Sequence, residues 1–297
     1  MRAVVLREFG GPEVLRVVET DEPHAGPNEI RVAVRACGVN PFDWKVRAGF
    51  VGGQLPQGMG LEVSGVVDEV GADVTGVTAG NEVFGPTTDG AAEFAVLSVW
   101  ARIPPGLDFA GAAALPVAVE TAVRGLEELG VQRGQTLLVN GAGGAVGTAT
   151  VQLAIARGAR VVATASESNF ERLRGYGAAV TTYGDGLAER AAALAGGGVN
   201  RVFDMGPGGA LPTLVAIACG DPENVLTISD FAGAGEAGVK ISTSARHWEA
   251  LDQVAALIAR GEFVLPVQQT FPLDQAGEAE RISQAGHVHG KLVLLVG

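Results

Sequence analysis

The chain has 297 residues and only two cysteines, Cys37 and Cys219. One pair cannot form the disulfide framework on which small secreted domains rely, and so little cysteine fits a reducing compartment. We therefore expect a cytoplasmic protein. Basic residues are also scarce: Lys and Arg total 21 against 33 Asp and Glu, a formal net charge of −12. That balance argues against nucleic acid or an anionic membrane as the main partner, because both are bound through excess positive charge. No leader is read at the start, since the apolar run Ala3-Val4-Val5-Leu6 stops at Arg7-Glu8. The longest uncharged run, Gly134 to Ala156, has the length to span a bilayer. It contains Gln135, Asn140, Thr148, Thr150, Gln152 and a glycine cluster, which suit a buried strand, turn and helix better. Neither an internal repeat nor a flexible linker is visible.

Glycine and apolar side chains are abundant. There are 44 glycines and 47% apolar residues, with a mean hydropathy of +0.27. Ordinary glycine usage is about 7%, so many tight turns and close backbone approaches are expected around a large core. The length suits two domains of roughly 100–200 residues each. The first third reads as short strands broken by Gly, Pro, Asn and Asp: "LRVVET", "EIRVAVRACGV", "SGVVDEVG", "GNEVFG" and "AEFAVLS". Within "PNEIRVAVRA", Ile30, Val32 and Val34 alternate with Arg31 and Arg35, the period of a half-buried strand. From about residue 103 the character changes. An Ala-rich amphipathic stretch ends at Gly130, and strands then alternate with helices through "TLLVNG", "RVVATAS", "AAVTTY", "RVFDMG" and "NVLTISD". This alternation predicts βαβ units and a doubly wound parallel sheet, hence an α/β protein. The tail from Leu265 offers a helix between two strand-like pieces and is expected to fold back on the N-terminal lobe.

The strongest local signal is "LLVNGAGGAVGTATVQLAIARGARVVATAS". An apolar strand, Leu137 to Val139, runs into Gly141, Ala142, Gly143, Gly144, Ala145, Val146 and Gly147, and an apolar-faced helix follows. The best register against G-x-G-x-x-G is Ala142-x-Gly144-x-x-Gly147. Gly144 would let the backbone approach a pyrophosphate, Gly147 would allow close helix–strand packing, and the helix N-terminus would offer free N–H groups. Dinucleotide binding is the expectation. The cofactor is chosen by the end of the next strand, where NAD binders place Asp or Glu for the ribose hydroxyls. Thr164-Ala165-Ser166 stands there, which favours a 2′-phosphate held by Ser166 with Arg172 or Arg174 approaching it. Glu167, one residue on, is the counter-argument as a ribose ligand. NADPH is therefore expected ahead of NADH.

These motifs, taken in order, resemble those of the medium-chain dehydrogenases/reductases, in the zinc-independent group of quinone oxidoreductases and enone reductases. The likeness rests on "GVNPFDWKVRAG" (38–49), "GLEVSGVV" (60–67), "GNEVFG" (80–85), "AAALPVAVETA" (112–122), "GAGGAVG" (141–147) and "GHVHGKLVLLV" (286–296). It implies a β-rich GroES-like catalytic lobe of residues 1–115 and 262–297, and a Rossmann cofactor lobe of residues 116–261. Zinc-dependent relatives need a Cys near position 37 and a His in the segment matching Gly60-Leu61-Glu62; Leu61 cannot ligate. No cysteine-rich structural zinc lobe is present, and His287 and His289 have no partner motif. No metal is expected.

By the same resemblance, Asn40 and Thr121 match positions that approach the nicotinamide end of the cofactor, and Lys45 a residue near the nicotinamide ribose. Tyr183 matches a residue packing near the adenosine phosphate; Gly290 and Lys291 match a C-terminal Gly-Lys that closes over the cleft. Each has a structural alternative: a turn former for Asn40 beside Pro41, an ordinary helix residue for Thr121, solvated charges for Lys45 and Lys291. Asp43 and Trp44 are read as packing and helix-start residues, and Cys37 as a small buried hydrophobe. A short-chain dehydrogenase would need Tyr-x-x-x-Lys, but Tyr176 is followed four later by Val180 and Tyr183 by Leu187. The implied activity is NADPH-dependent reduction of quinones or of the C=C bond of α,β-unsaturated carbonyls. The alternatives are a tailoring enoyl reductase of a biosynthetic pathway and a non-catalytic NADPH-binding protein. A homodimer through the "NVLTISD" strand as a sheet edge is a further expectation.

Overall fold

The computed structural model describes residues 1–206 and 208–297. Its contacts divide the chain into one unit of Met1–Val117 with Trp248–Gly297 and another of Ala118–His247.

The first unit opens with β1 (Arg2–Leu6), β2 (Leu15–Glu19) and β3 (Ile30–Val39), then α1 (Pro41–Arg47). After these come β4 (Gln57–Gly58), β5 (Glu62–Val70), β6 (Glu82–Pro86), β7 (Phe94–Leu97), β8 (Ala101–Arg102) and α2 (Phe109–Ala113). α3 (Pro116–Glu128) starts in this unit and carries the chain into the second. The unit is β-rich because its strands alternate: in β3, Ile30, Val32 and Val34 are buried while Arg35 is exposed.

The second unit holds β9 (Thr136–Asn140), α4 (Ala145–Ala156), β10 (Arg160–Thr164), α5 (Phe170–Gly175), β11 (Ala179–Thr181) and α6 (Leu187–Ala195). β12 (Arg201–Asp204), α7 (Leu211–Ile217), β13 (Val225–Thr227), α8 (Phe231–Ala237) and β14 (Lys240–Ile241) complete it. The strand order is β11-β10-β9-β12-β13-β14, parallel throughout. Every residue of β9 is buried, as expected of a central parallel strand covered on both faces. Successive strands move outward from β9 in one direction and then in the other. The order therefore reverses beside β9, and such a reversal leaves a crevice at the carboxyl ends of the strands. The uncharged run Gly134 to Ala156 resolves into β9, the glycine turn and α4. The helical stretch Phe109–Glu128 is long and apolar enough to cross a membrane by length and composition, and most of it is buried.

The chain returns to the first unit with α9 (Ala250–Ala259), β15 (Val267–Pro272), α10 (Ala276–Ala285) and β16 (Lys291–Leu295). β16 pairs antiparallel with β3, so the tail does fold back onto the N-terminal sheet, ordered β15-β16-β3-β5-β6-β8. Two details differ from the sequence reading. Residues 248–261 lie with the first unit, because α9 packs on β8. The strand in "NVLTISD" is interior, since β14 pairs outside it; a two-residue strand leaves no periodic signal in sequence.

Candidate active site

Three adjacent strands bring the first cluster together. Lys291 begins β16, Asn40 follows the last residue of β3, and Glu62 begins β5. Because β3 is antiparallel to both neighbours, these three positions meet at one end of the sheet. Lys291 Nζ donates to Asn40 Oδ1 at 2.6 Å and lies 2.5 Å from Glu62 Oε1. Asn40 Nδ2 donates to the same Glu62 oxygen at 2.8 Å. The other Glu62 oxygen accepts the Val117 N–H at 2.8 Å, in the first turn of α3, where a carboxylate complements unsatisfied amides. All three side chains are buried, Glu62 completely. The amide of Asn40 is thereby held in one orientation, oxygen toward the ammonium and nitrogen toward the carboxylate. Gly290, at φ +107°, lies so close to Pro266 O that a Cβ would stand 2.2 Å from it, so this glycine serves chain packing.

Asn40 also starts α1, with its backbone N–H donating to Asp43 Oδ2 at 2.7 Å. Burial, and then the Glu280 carboxylate, push Asp43 up to about 8. Glu280 in turn pairs with Arg47 at 2.6 Å, and Arg47 also donates to Gln284. Lys45 is half-buried on α1, its Nζ 5.7 Å from the centre of the Trp44 ring.

The second cluster surrounds the glycine turn of the other unit. Gly141 has φ +85°, a left-handed conformation suited to a residue without Cβ. A Cβ on Gly147 would lie 2.5 Å from Ala142 Cα, so helix and turn pack as closely as the sequence implied. A Cβ on Gly144 would meet nothing within 4 Å, which leaves open space over the backbone that precedes α4. Ala142 is buried. Gly143, Ala145 and Val146 are half-buried along the turn. Arg172 does not simply project from α5. It donates to Gly143 O and to Thr148 Oγ1, both at 2.9 Å, and to Asn169, clamping the turn to the segment after β10. Asn169 donates to Ser166 Oγ at 2.9 Å, so Ser166 and Arg172 belong to one polar arc. Tyr183 is exposed beyond β11, where Arg190 accepts a structural task by donating to Thr182 O and Tyr183 O. Thr121 is buried on α3.

The residues do not fit a zinc centre. Cys37 is buried, and burial raises its thiol well above the usual range, as for a small buried hydrophobe. Position 61, in the segment where zinc-dependent relatives carry a His, is Leu61, which cannot ligate. Among the described residues no group of three or more His, Cys, Asp or Glu could hold a metal ion.

The residues do fit a dinucleotide, with bare, left-handed and closely packed glycines at the carboxyl end of β9. The chain matches the profile of the "Alcohol dehydrogenase GroES-like domain" over residues 26–124 and that of "Zinc-binding dehydrogenase" over residues 157–294. Among solved structures, an NAD-dependent alcohol dehydrogenase is 30% identical, with all of both chains covered and a TM-score of 0.84. The chain belongs to the medium-chain dehydrogenase/reductase superfamily. The quinone oxidoreductase of Coxiella burnetii matches this reductase-superfamily chain at TM-score 0.86 and 27% identity, over 100% of one chain and 99% of the other. A mycobacterial structure complexed with NADPH matches at 0.83 and 28%, with both chains fully covered. By sequence it is similar to 2-methylene-furan-3-one reductase of Solanum lycopersicum, 34% identical over 60% of this chain and 50% of that one. Quinone oxidoreductase of Rattus norvegicus is 36% identical over 58% and 55%. A spectinabilin polyketide synthase system protein of Streptomyces orinoci is 42% identical over 51% of this chain and 7% of its own length. The chain thus spans about half the length of the first two of these relatives.

The sequence does not single out Glu62 as a site residue, nor Asn140 and Asp204 at the strand ends beneath the turn; Thr164 is read there for the cofactor's 2′ position, not for its bond to Asn140. The signal was there for two of them: a lone acid in an apolar strand, as in "GLEVSGVV" and "RVFDMG", implies buried partners.

Proposed function

We propose that this chain is an NADPH-dependent, zinc-independent reductase of quinones or of the C=C bond of α,β-unsaturated carbonyls. The observation that carries the reading is the turn after β9, with open space over Gly144 and close packing at Gly147. Relatives named as a quinone oxidoreductase and a furanone reductase support the substrate class. The neighbour solved with NADPH supports the cofactor, while the NAD-dependent neighbour keeps NADH as the alternative. When bound, the nicotinamide supplies the hydride. The chain's own part is to bind and to stabilise charge. Turn amides of Gly143 to Gly147 take the diphosphate, and Ser166 takes the 2′-phosphate, with Arg172 behind it. Glu167, exposed beside Ser166, is the group that would serve a free ribose hydroxyl. Reduction of a conjugated acceptor places negative charge on its carbonyl oxygen, so hydrogen-bond donors matter more than a strong acid. Asn40, Lys45 and Thr121 are the residues we assign to that end, with the proton arriving from water or Lys45. The protein is proposed to act in the cytoplasm on small molecules, without nucleic acid or membrane, and as a homodimer.

The test is an acceptor screen with NADPH and NADH side by side. NADPH oxidation with enones or quinones, and none with saturated ketones, is the expected pattern; the reverse would defeat the proposal. Trapped semiquinone radicals during turnover would indicate one-electron chemistry. A second reading, a tailoring enoyl reductase, is favoured by the polyketide synthase likeness. It predicts that enoyl thioesters are reduced far faster than free enones. Tight NADPH uptake with no turnover of any acceptor would leave a cofactor-binding protein.

A further inference from the structure

A row of polar side chains crosses the second unit just beneath the glycine turn. Thr164, Asn140, Asp204 and Thr227 are the last residues of β10, β9, β12 and β13, four neighbouring strands. They are in register, Thr164 opposite Asn140, Asn140 opposite Asp204, and Asp204 opposite Thr227. All four are buried. Among apolar strands, four consecutive polar ends in one register are costly unless each finds a partner. Here each does, and the donated bonds converge on the Asp204 carboxylate from both sides of the row.

Thr227 Oγ1 donates to Asp204 Oδ2 at 2.7 Å, and Ser229 Oγ to the same oxygen at 3.2 Å. Asn140 Nδ2 donates to Asp204 Oδ1 at 2.7 Å, and the Gly206 N–H joins it at 3.2 Å. Asn140 Oδ1 accepts the Thr164 hydroxyl at 2.6 Å. Thr164 Oγ1 accepts the Gly141 N–H at 3.1 Å. The carboxylate thus fixes which way the Asn140 amide points. The amide fixes which way the Thr164 hydroxyl points, and that hydroxyl has its lone pair left for Gly141, the left-handed first residue of the turn. Thr227 Oγ1 already accepts two backbone N–H groups, from Ser229 and Asp230. An amide at position 204 would bring further donors into a place crowded with them, so an acceptor-only group is what the row requires.

We infer that Asp204 is a positioning residue for the dinucleotide turn, acting through Asn140 and Thr164. This rests on the reading that the turn binds a pyridine nucleotide. The row sets the turn before the ligand arrives, so that its amides need no reordering on binding.

The measurement is a double-mutant cycle on the affinity of the full chain for NADPH, titrated by calorimetry. Thr164→Val and Thr227→Val each remove one hydroxyl with little change of shape. Their sites are three strand spacings apart, roughly 14 Å, a separation at which effects without coupling multiply. Each single variant is expected to weaken NADPH about fivefold, the equivalent of one neutral hydrogen bond. The double variant should be weakened by little more than either, because breaking the row once already frees the turn. Asp204→Asn should match the double variant. A double variant weakened by the product of the singles, about twenty-five-fold, overturns the inference. So does a Thr227→Val protein that melts lower yet binds NADPH like the wild type. A wild-type chain that takes up neither NADPH nor NADH removes the functional reading and this inference with it.

Discussion

Replacing Lys291 by Met is the sharpest test of the buried cluster in the first unit. Lys291 is 3% exposed and Glu62 fully buried, with 2.5 Å between ammonium and carboxylate. Without Lys291 the carboxylate keeps, among the described residues, the Asn40 and Val117 N–H groups, and a buried charge loses its counter-ion. Breaking one side of such a pair costs about 3–5 kcal/mol, because the remaining charge cannot be rehydrated. In a unit of this size 1 kcal/mol moves the melting point by about 2–4 °C, so a fall of roughly 6–20 °C is expected by scanning calorimetry. The second arm makes the reasoning specific. In Glu62→Gln/Lys291→Met no charge is left to strand, and the double variant should regain most of the loss, ending within about 2 kcal/mol of the wild type. A Lys291→Met protein melting within 2 °C of wild type (about the shift of a single weak contact) would refute the argument. So would a double variant melting below both singles.

Further expectations follow from other places in the two units. Gly144→Ala should melt like the wild type but bind NADPH at least about tenfold more weakly, since the new methyl enters open space where the diphosphate is proposed to lie. Gly147→Ala should instead lower the melting point clearly, because its Cβ meets turn backbone at 2.5 Å; thermal scans beside calorimetric titrations separate the two. Arg172→Ala should weaken NADPH and NADH alike, as loss of a turn clamp would, and a loss confined to NADPH would show that its main partner is the 2′-phosphate instead. Asp43, raised to about 8 in the fold, binds more protons folded than unfolded between about pH 4 and 8. Its contribution to stability is therefore present at low pH and fades as pH rises through 8, by up to about 1.4 kcal/mol per pH unit. Asp43→Asn should flatten that part of a stability–pH profile, and an unchanged slope would remove the argument.

Much of the site was legible because its chemistry is local. The turn from Gly141 to Gly147 sits between a strand and a helix that announce themselves by apolar periodicity, and its steric logic depends on residues a few positions apart. Ser166 and Arg172 were legible as neighbours of that turn, but not the bonds that commit Arg172 to Gly143 and Thr148. Lys291 was read as a lid residue or a solvated charge, and it is a buried member of a sheet-end cluster. Glu62 stands in the sequence only as part of the motif 60–67, with nothing to mark its partnership with Lys291. The edge strand was misplaced by one, because Lys240–Ile241 is too short to carry a pattern.

By itself the amino-acid order determined the alternation of strands and helices, the two kinds of lobe and the glycine turn. These follow from composition and short-range spacing. Tertiary structure alone decided which distant residues share a charge or a proton donor. Lys291 meets Asn40 across 251 positions, and Thr164, Asn140, Asp204 and Thr227 form one row only when four strands stand in register. Hydrogen bonds act over about 3 Å, and a chain brings such positions within that reach only by folding.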